Sequence, residues 1–152
     1  MIFRSFLILT GIETLPLRMA KHCETALAVA KHLEKLKQGA WVNYAGLPKN
    51  AYHPLVKKIC PQGAGAVFTF GVKGGYESGV KLVSSAKLLS HLANIGDTRS
   101  LVIHPASTTH RQLTDEQRKA AGAGPDVVRL SIGIEDKADI IADLEQSLAQ
   151  LD

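Results

Sequence analysis

The 152-residue sequence contains no apolar run approaching the ~20 residues that a membrane span needs, so no membrane helix is expected. Its opening, Met1-Ile2-Phe3-Arg4-Ser5-Phe6-Leu7-Ile8-Leu9, has too short an apolar block for a secretory signal. No small-residue cleavage site follows it promptly. Cysteine is scarce. Cys23 and Cys60 are far apart, form no metal-type spacing and give no argument for secretion, which fits a reduced cytoplasm. Basic runs are missing too. The net charge of +4 is scattered, the longest basic pair is Lys57-Lys58, and no aromatic residues interleave with it to stack on bases. Nucleic acid is therefore not expected as a partner. What remains is the profile of one globular domain with a core of its own, at 45% hydrophobic and 21% charged residues.

Apolar residues at Met19, Cys23, Ala26, Leu27, Ala30 and Leu33 recur at helical spacing and predict a long helix to about Lys37. Gln38-Gly39 is its stop, and Cys23 falls on its apolar stripe, where a buried, unreactive thiol is expected. Pro16 separates this helix from a preceding helical piece, residues 3–14, because proline lacks the donor that a helix interior uses. Strands are expected over residues 41–44, 66–72 and 88–92, and a helix over 76–86. Residues 50–65 read as a loop with one apolar turn. Thr114 and Gln117 form a capping box for a short helix, and Asp136 caps a final helix carrying Ile140, Ile141, Leu144, Leu148 and Leu151. Helices alternating with three or four strands predict a single two-layer α/β domain.

The last strand, residues 127–134, places Val128, Leu130, Ile132 and Ile134 on one face. Arg129, Ser131 and Gly133 take the other, so the arginine has small neighbours and room for a ligand above it. A guanidinium fork holds a carboxylate through two parallel hydrogen bonds, which lysine cannot reproduce. The same pattern also fits a strand arginine paired with a neighbouring Asp or Glu, and the residues alone leave both readings open. The preceding stretch, residues 94–110, reads as a loop: Gly96-Asp97 is turn chemistry and Pro105 stops regular structure. Thr108-Thr109-His110 brings hydroxyls and an imidazole into it. His104 and His110 lack the same-face spacing of a metal pair, with Pro105 between them, and no metal site is assigned. Ser84-Ser85-Ala86-Lys87 imitates a Ser-x-x-Lys motif without its companions, and the glycine-rich segments 63–66 and 71–75 have the spacing of turns.

Several ordered blocks together carry a resemblance. They are Gly11-Ile12-Glu13-Thr14-Leu15, Arg18-Met19-Ala20-Lys21-His22-Cys23, Trp41-Val42-Asn43-Tyr44 and Gly46-Leu47-Pro48, followed by Phe70-Gly71-Val72-Lys73-Gly74-Gly75, residues 94–113 and Arg129-Leu130-Ser131-Ile132-Gly133-Ile134-Glu135-Asp136. From Phe6 to Leu148 the chain resembles the C-terminal domain of O-acetylhomoserine sulfhydrylases, fold-type I pyridoxal-phosphate enzymes of Cys/Met metabolism. The resemblance implies a mostly antiparallel sheet with helices packed on one face. It puts residues 1–16 in an interdomain linker helix and residues 17–152 in a domain that binds the substrate carboxylate. Arg129 would grip the α-carboxylate of O-acetyl-L-homoserine, Thr109 would help hold that arginine, and Asn94 occupies a turn near cofactor and substrate. Ser100 and His110 match family positions that shape the loop. The Asn-Ile-Gly-Asp turn tilts the reading toward the sulfhydrylases and away from methionine γ-lyase and cystathionine γ-synthase.

The family's Schiff-base lysine and pyridoxal phosphate lie in an N-terminal domain that this sequence does not contain, so no catalytic residue is assigned. Pyridoxal phosphate is not expected to bind this chain alone. Two outcomes follow from the resemblance: the sulfhydrylase substrate site, replacing acetate by sulfide or a thiol, or a non-catalytic module. The latter would self-associate as a homo-oligomer or assemble with a separate pyridoxal-phosphate domain.

Overall fold

The computed structural model describes residues 2–151. Two helices open the chain, α1 (Ile2–Glu13) and α2 (Leu15–Leu33), meeting at Thr14. Pro16 lies in the first turn of α2, where its missing N–H has no partner to lose, so the break falls where the sequence predicts it. α2 stops at Leu33 instead of Lys37. The N–H groups of Lys35 and Leu36 turn back to the carbonyls of His32 and Leu33, three residues behind, which tightens the chain out of the α-helix. Cys23 is half-buried rather than sealed in the core, at the rim of a groove shared with Pro16, Met19, Ile59 and Cys60.

Among the described residues there are five strands where three or four are expected: β1 (Gly39–Asn43), β2 (Val67–Val72), β3 (Ser90–His91), β4 (Leu101–Ile103) and β5 (Val127–Ser131). They lie in the order β1-β2-β5-β4-β3, antiparallel throughout except for the parallel β3–β4 pair. β4 is the addition, inside the stretch read as loop. All three of its residues are buried, so it shows none of the alternation that marks a strand in sequence. The remaining helices are α3 (His53–Ile59), α4 (Gly75–Ser85), α5 (Asp115–Ala120) and α6 (Lys137–Leu148). α3 occupies part of the loop expected over residues 50–65, with Pro54 in its first turn. The capping box of Thr114 with Gln117 and the Asp136 cap form as predicted.

Helices cover one face of the sheet. Phe68, Phe70, Val102, Val128 and Leu130 bury themselves against Val29 and Leu33 of α2, Leu82 of α4, and Ile140, Leu144 and Leu148 of α6. Each such side chain contributes about 1.5–3 kcal/mol when fully buried. Thr69, Arg129 and Ile103 form one cross-strand row, and strand alternation places it on the opposite face. The expected strand over residues 127–134 ends early, at Ser131. Ile132 still donates to the Ala66 carbonyl, but the next two N–H groups turn to Ser100 and Thr98, so Ile134 is exposed instead of joining the core. Buried His22 fastens α2 to this strand end by donating from Nδ1 to the Ile132 carbonyl at 2.6 Å.

A second tether joins α6 to the chain entering β3. The buried Asp143 carboxylate accepts from the backbone N–H groups of Lys87, Leu88 and Leu89 at 2.9–3.0 Å, and from the Gln146 amide at 3.0 Å. Burial by itself raises the Asp143 pKa, but the hydrogen bonds from Leu89, Lys87, Leu88 and Gln146 outweigh it. The carboxyl therefore titrates below its usual range. A depressed folded pKa stabilises the fold fully above the unfolded value of ~3.9, and the contribution is lost as pH falls through the folded pKa. Asp143→Asn is expected to lower the unfolding free energy at pH 7 by about 2 kcal/mol, with the gap from the parent closing at strongly acid pH. Urea melts across that range measure it. Equal stabilities at neutral pH, or a gap unchanged in acid, would remove this role.

Candidate functional site

Arg129 stands in the middle of β5, the central strand, flanked across the ladder by Thr69 of β2 and Ile103 of β4. Its side chain is half-buried at a crevice too narrow to admit a water molecule, lined by Leu92, Ala93, Asn94, Leu101, Ile103 and Ser131. No carboxylate of the described residues lies within ion-pair distance of it. Its one polar contact runs from Nη2 to the Asn94 carbonyl at 3.5 Å, which is long for a hydrogen bond. Its other donors have no partner among the described residues, on a face where Leu101, Ile103, Val127 and Ser131 are themselves buried. Of the two readings left open by the sequence, the closed ion pair is the one the geometry rejects.

Asn94 belongs to the loop between β3 and β4, and only its backbone oxygen meets Arg129. Its side-chain Oδ1 accepts from the N–H of the next residue, Ile95, at 2.8 Å. The loop's own acid is already engaged. Asp97 accepts from the Arg99 backbone N–H at 3.0 Å and from that guanidinium at 3.3 Å. These side-chain and backbone hydrogen bonds from Arg99 hold the Asp97 carboxyl below the usual carboxylate range. Asp97 is therefore spent on Arg99 and does not neutralise Arg129.

Thr109 is not joined to Arg129 by a hydrogen bond. It is exposed, and its Oγ1 pairs with Nδ1 of His110 at 2.8 Å. The turn that carries both is anchored by His104, whose Nε2 donates to the Pro125 carbonyl at 2.9 Å while Nδ1 accepts from the Ser107 hydroxyl at 3.0 Å. The ring is fully buried and meets Tyr76 edge-on, with centroids 5.1 Å apart. Burial, more than any other influence, pulls the His104 pKa down, so the ring is held neutral with both nitrogens committed. That commitment leaves it no lone pair for a metal.

Sequence reasoning left Ser100 as a loop-shaping position and gave Glu135 no role. The structure joins them. Ser100 donates from its backbone N–H to Glu135 Oε1 at 2.6 Å and from its hydroxyl to Oε2 at 2.8 Å. The same hydroxyl accepts from the Gly133 N–H at 2.8 Å. The signal was the position of Glu135 directly behind the Arg129 strand, in a block that was singled out for its order and not for its hydrogen bonding.

With this geometry in hand, comparison with known proteins is informative. Residues 2–149 match the family described as Cys/Met metabolism PLP-dependent enzyme. O-acetyl-L-homoserine sulfhydrylase 1 of Thermus thermophilus is 50% identical over 147 residues, covering 97% of this chain and 35% of the relative. Homocysteine synthase of Schizosaccharomyces pombe is 51% identical over 146 residues, covering 96% and 34%. A solved Campylobacter jejuni structure, described as an O-acetylhomoserine (thiol)-lyase with pyridoxyl-lysine monophosphate, superposes with a TM-score of 0.88. It is 42% identical and covers 94% of this chain and 34% of that one. The chain spans about a third of the length of the curated relatives it matches. The fold, the ordered motifs and the match over nearly its whole length make this chain a member of the Cys/Met metabolism family of pyridoxal-phosphate-dependent enzymes.

Proposed function

We propose that this chain supplies the substrate-carboxylate end of an O-acetylhomoserine sulfhydrylase site, in an enzyme that replaces acetate by sulfide or a thiol. The observation that carries the reading is the Arg129 guanidinium, half-buried at the centre of the sheet with no acid among the described residues within ion-pair distance. Two parallel N–H groups of that fork meet the α-carboxylate, and the strand beneath fixes the direction in which the rest of the amino acid extends. Asn94 borders the same recess. Thr109, on the neighbouring turn, holds the position that in the family helps hold the arginine.

The family's cofactor condenses with a shielded lysine amine. Every lysine here is exposed except the half-buried Lys21 on α2, and none lines the recess beside Arg129. This chain's lysines do not fit the cofactor. The chain's contribution is therefore orientation and charge, with no step of bond breaking assigned to its side chains.

The test is a hybrid in which this chain replaces the matching third of the Thermus relative. In it, Arg129→Ala is expected to lower kcat/KM for O-acetylhomoserine by about 100-fold, equivalent to about 3 kcal/mol. Arg129→Lys should recover only part of the loss, since a point charge lacks the fork. Unchanged steady-state constants in Arg129→Ala would end the reading.

A second reading rests on α1. Ile2, Phe3, Phe6, Leu7, Ile8 and Leu9 are each more than half exposed, and no α1 residue is buried. Side chains of this size bring the apolar surface to roughly the 800 Å² per partner that a standard interface buries. The chain by itself is expected to form homo-oligomers through this helix, and Phe6→Lys with Leu7→Lys is expected to dissolve them. Sedimentation velocity of both proteins decides, and a monomeric parent at high concentration would dispose of the idea.

A further inference from the structure

The loop between β3 and β4 leaves the sheet after His91 and returns at Ser100, bringing the Asn94 carbonyl to Arg129 on the way. Four hydrogen bonds fasten its returning limb to the segment just past β5. Ser100 spans the Glu135 carboxylate with its backbone N–H and its hydroxyl, at 2.6 and 2.8 Å. The Ser100 hydroxyl also accepts from the Gly133 N–H, and the Ile134 N–H donates to the Thr98 carbonyl at 2.9 Å. Ser100 is fully buried, and its carbonyl accepts from Ser90 of β3 at 3.0 Å, so one residue links both limbs of the loop to β5. The approach is so close that a Cβ on Gly133 would lie 2.4 Å from the Thr98 carbonyl oxygen and 2.3 Å from Glu135 Oε2. Only glycine leaves room for it.

β5 carries Arg129 at its centre and the clamp at its end, while the clamped loop carries the wall of the Arg129 recess. We propose that Ser100 and Glu135 are positioning residues for carboxylate recognition: they set how closely the Asn94 loop stands to the guanidinium that a carboxylate must reach. The inference rests on the reading of Arg129 given above. Without the Ser100 hydroxyl, the Gly133 N–H loses its acceptor and Glu135 loses a donor, and the limb is held by the two remaining backbone hydrogen bonds. The guanidinium itself is untouched.

The consequence is a split between constants that general destabilisation does not produce. A protein that merely unfolds more readily lowers the amount of active enzyme and leaves KM alone, whereas a loop held at the wrong distance from the guanidinium weakens substrate capture. In the hybrid, Ser100→Ala is expected to raise KM for O-acetylhomoserine about 10-fold, with kcat per active site within about 2-fold and KM for sulfide unchanged. Active sites are counted by the absorbance of bound cofactor. Glu135→Gln keeps one acceptor for the Ser100 N–H and should raise KM by a smaller factor, about 3-fold. If Ser100→Ala does not fold in the hybrid, Glu135→Gln decides on the same constants. An unaltered KM for O-acetylhomoserine in these variants, alongside a raised KM in Arg129→Ala, overturns the positioning role and leaves the Arg129 reading standing. No effect from Arg129→Ala itself would remove the reading beneath both.

Discussion

A cation in the middle row of a sheet, with no acid allotted to it, is the constraint around which this domain is organised. Thr69 and Ile103, the cross-strand neighbours of Arg129, carry no charge. Acids of the flanking segments have other partners: Asp97 is engaged by Arg99, Glu135 by Ser100, and Asp126 by the Trp41 indole N–H at 2.9 Å. A carboxylate brought within about 4 Å of Arg129 would be attracted by roughly 4 kcal/mol at the effective dielectric of a protein surface. Among the described residues, none of the fold's own carboxylates takes up that attraction.

Holding the guanidinium in place requires that β5 not move, and the tethers gather at its C-terminal end. His22 fixes α2 to Ile132, Ser100 meets Gly133, and Thr98 meets Ile134. The other face of the strand is locked by apolar packing, with Val128 and Leu130 fully buried beneath the helices. Packing fixes the height of the strand over the helical layer. The polar tethers fix its register along the direction in which Arg129 points.

Where the sequence was legible, a local signal agreed with the tertiary outcome. Proline at position 16, the capping box at Thr114 and the Asp136 cap each place a helix end through chemistry contained within a few residues. Arg129 was legible for a related reason, since strand alternation puts it with Ser131 and away from Val128 and Leu130. β4 was not legible, because three residues buried throughout carry no period. Neither was the end of β5: alternation continues through Ile134, but the hydrogen-bond partners of Gly133 and Ile134 come from a loop more than thirty residues earlier. The contribution of Asn94 was legible as to place and not as to atom, since it meets Arg129 through a backbone carbonyl that any residue possesses.

Two carboxylates show why a nine-residue loop can be held firmly with little packing of its own. Asp143 collects the N–H groups of Lys87, Leu88 and Leu89 just before β3, and Glu135 collects the N–H and hydroxyl of Ser100 just before β4. The device is the same at both places: a charged acceptor fixes backbone donors where a short strand is about to begin. β3 has two residues and β4 has three, so ladder bonds alone would define their positions poorly. Charge-assisted hydrogen bonds, about twice as strong as neutral ones, supply what the ladders lack. Both acids lie outside the recess, yet the two ends they fix determine where residues 92–99 can go. The crevice beside Arg129 is thus shaped from its margins, by carboxylates that lie outside it.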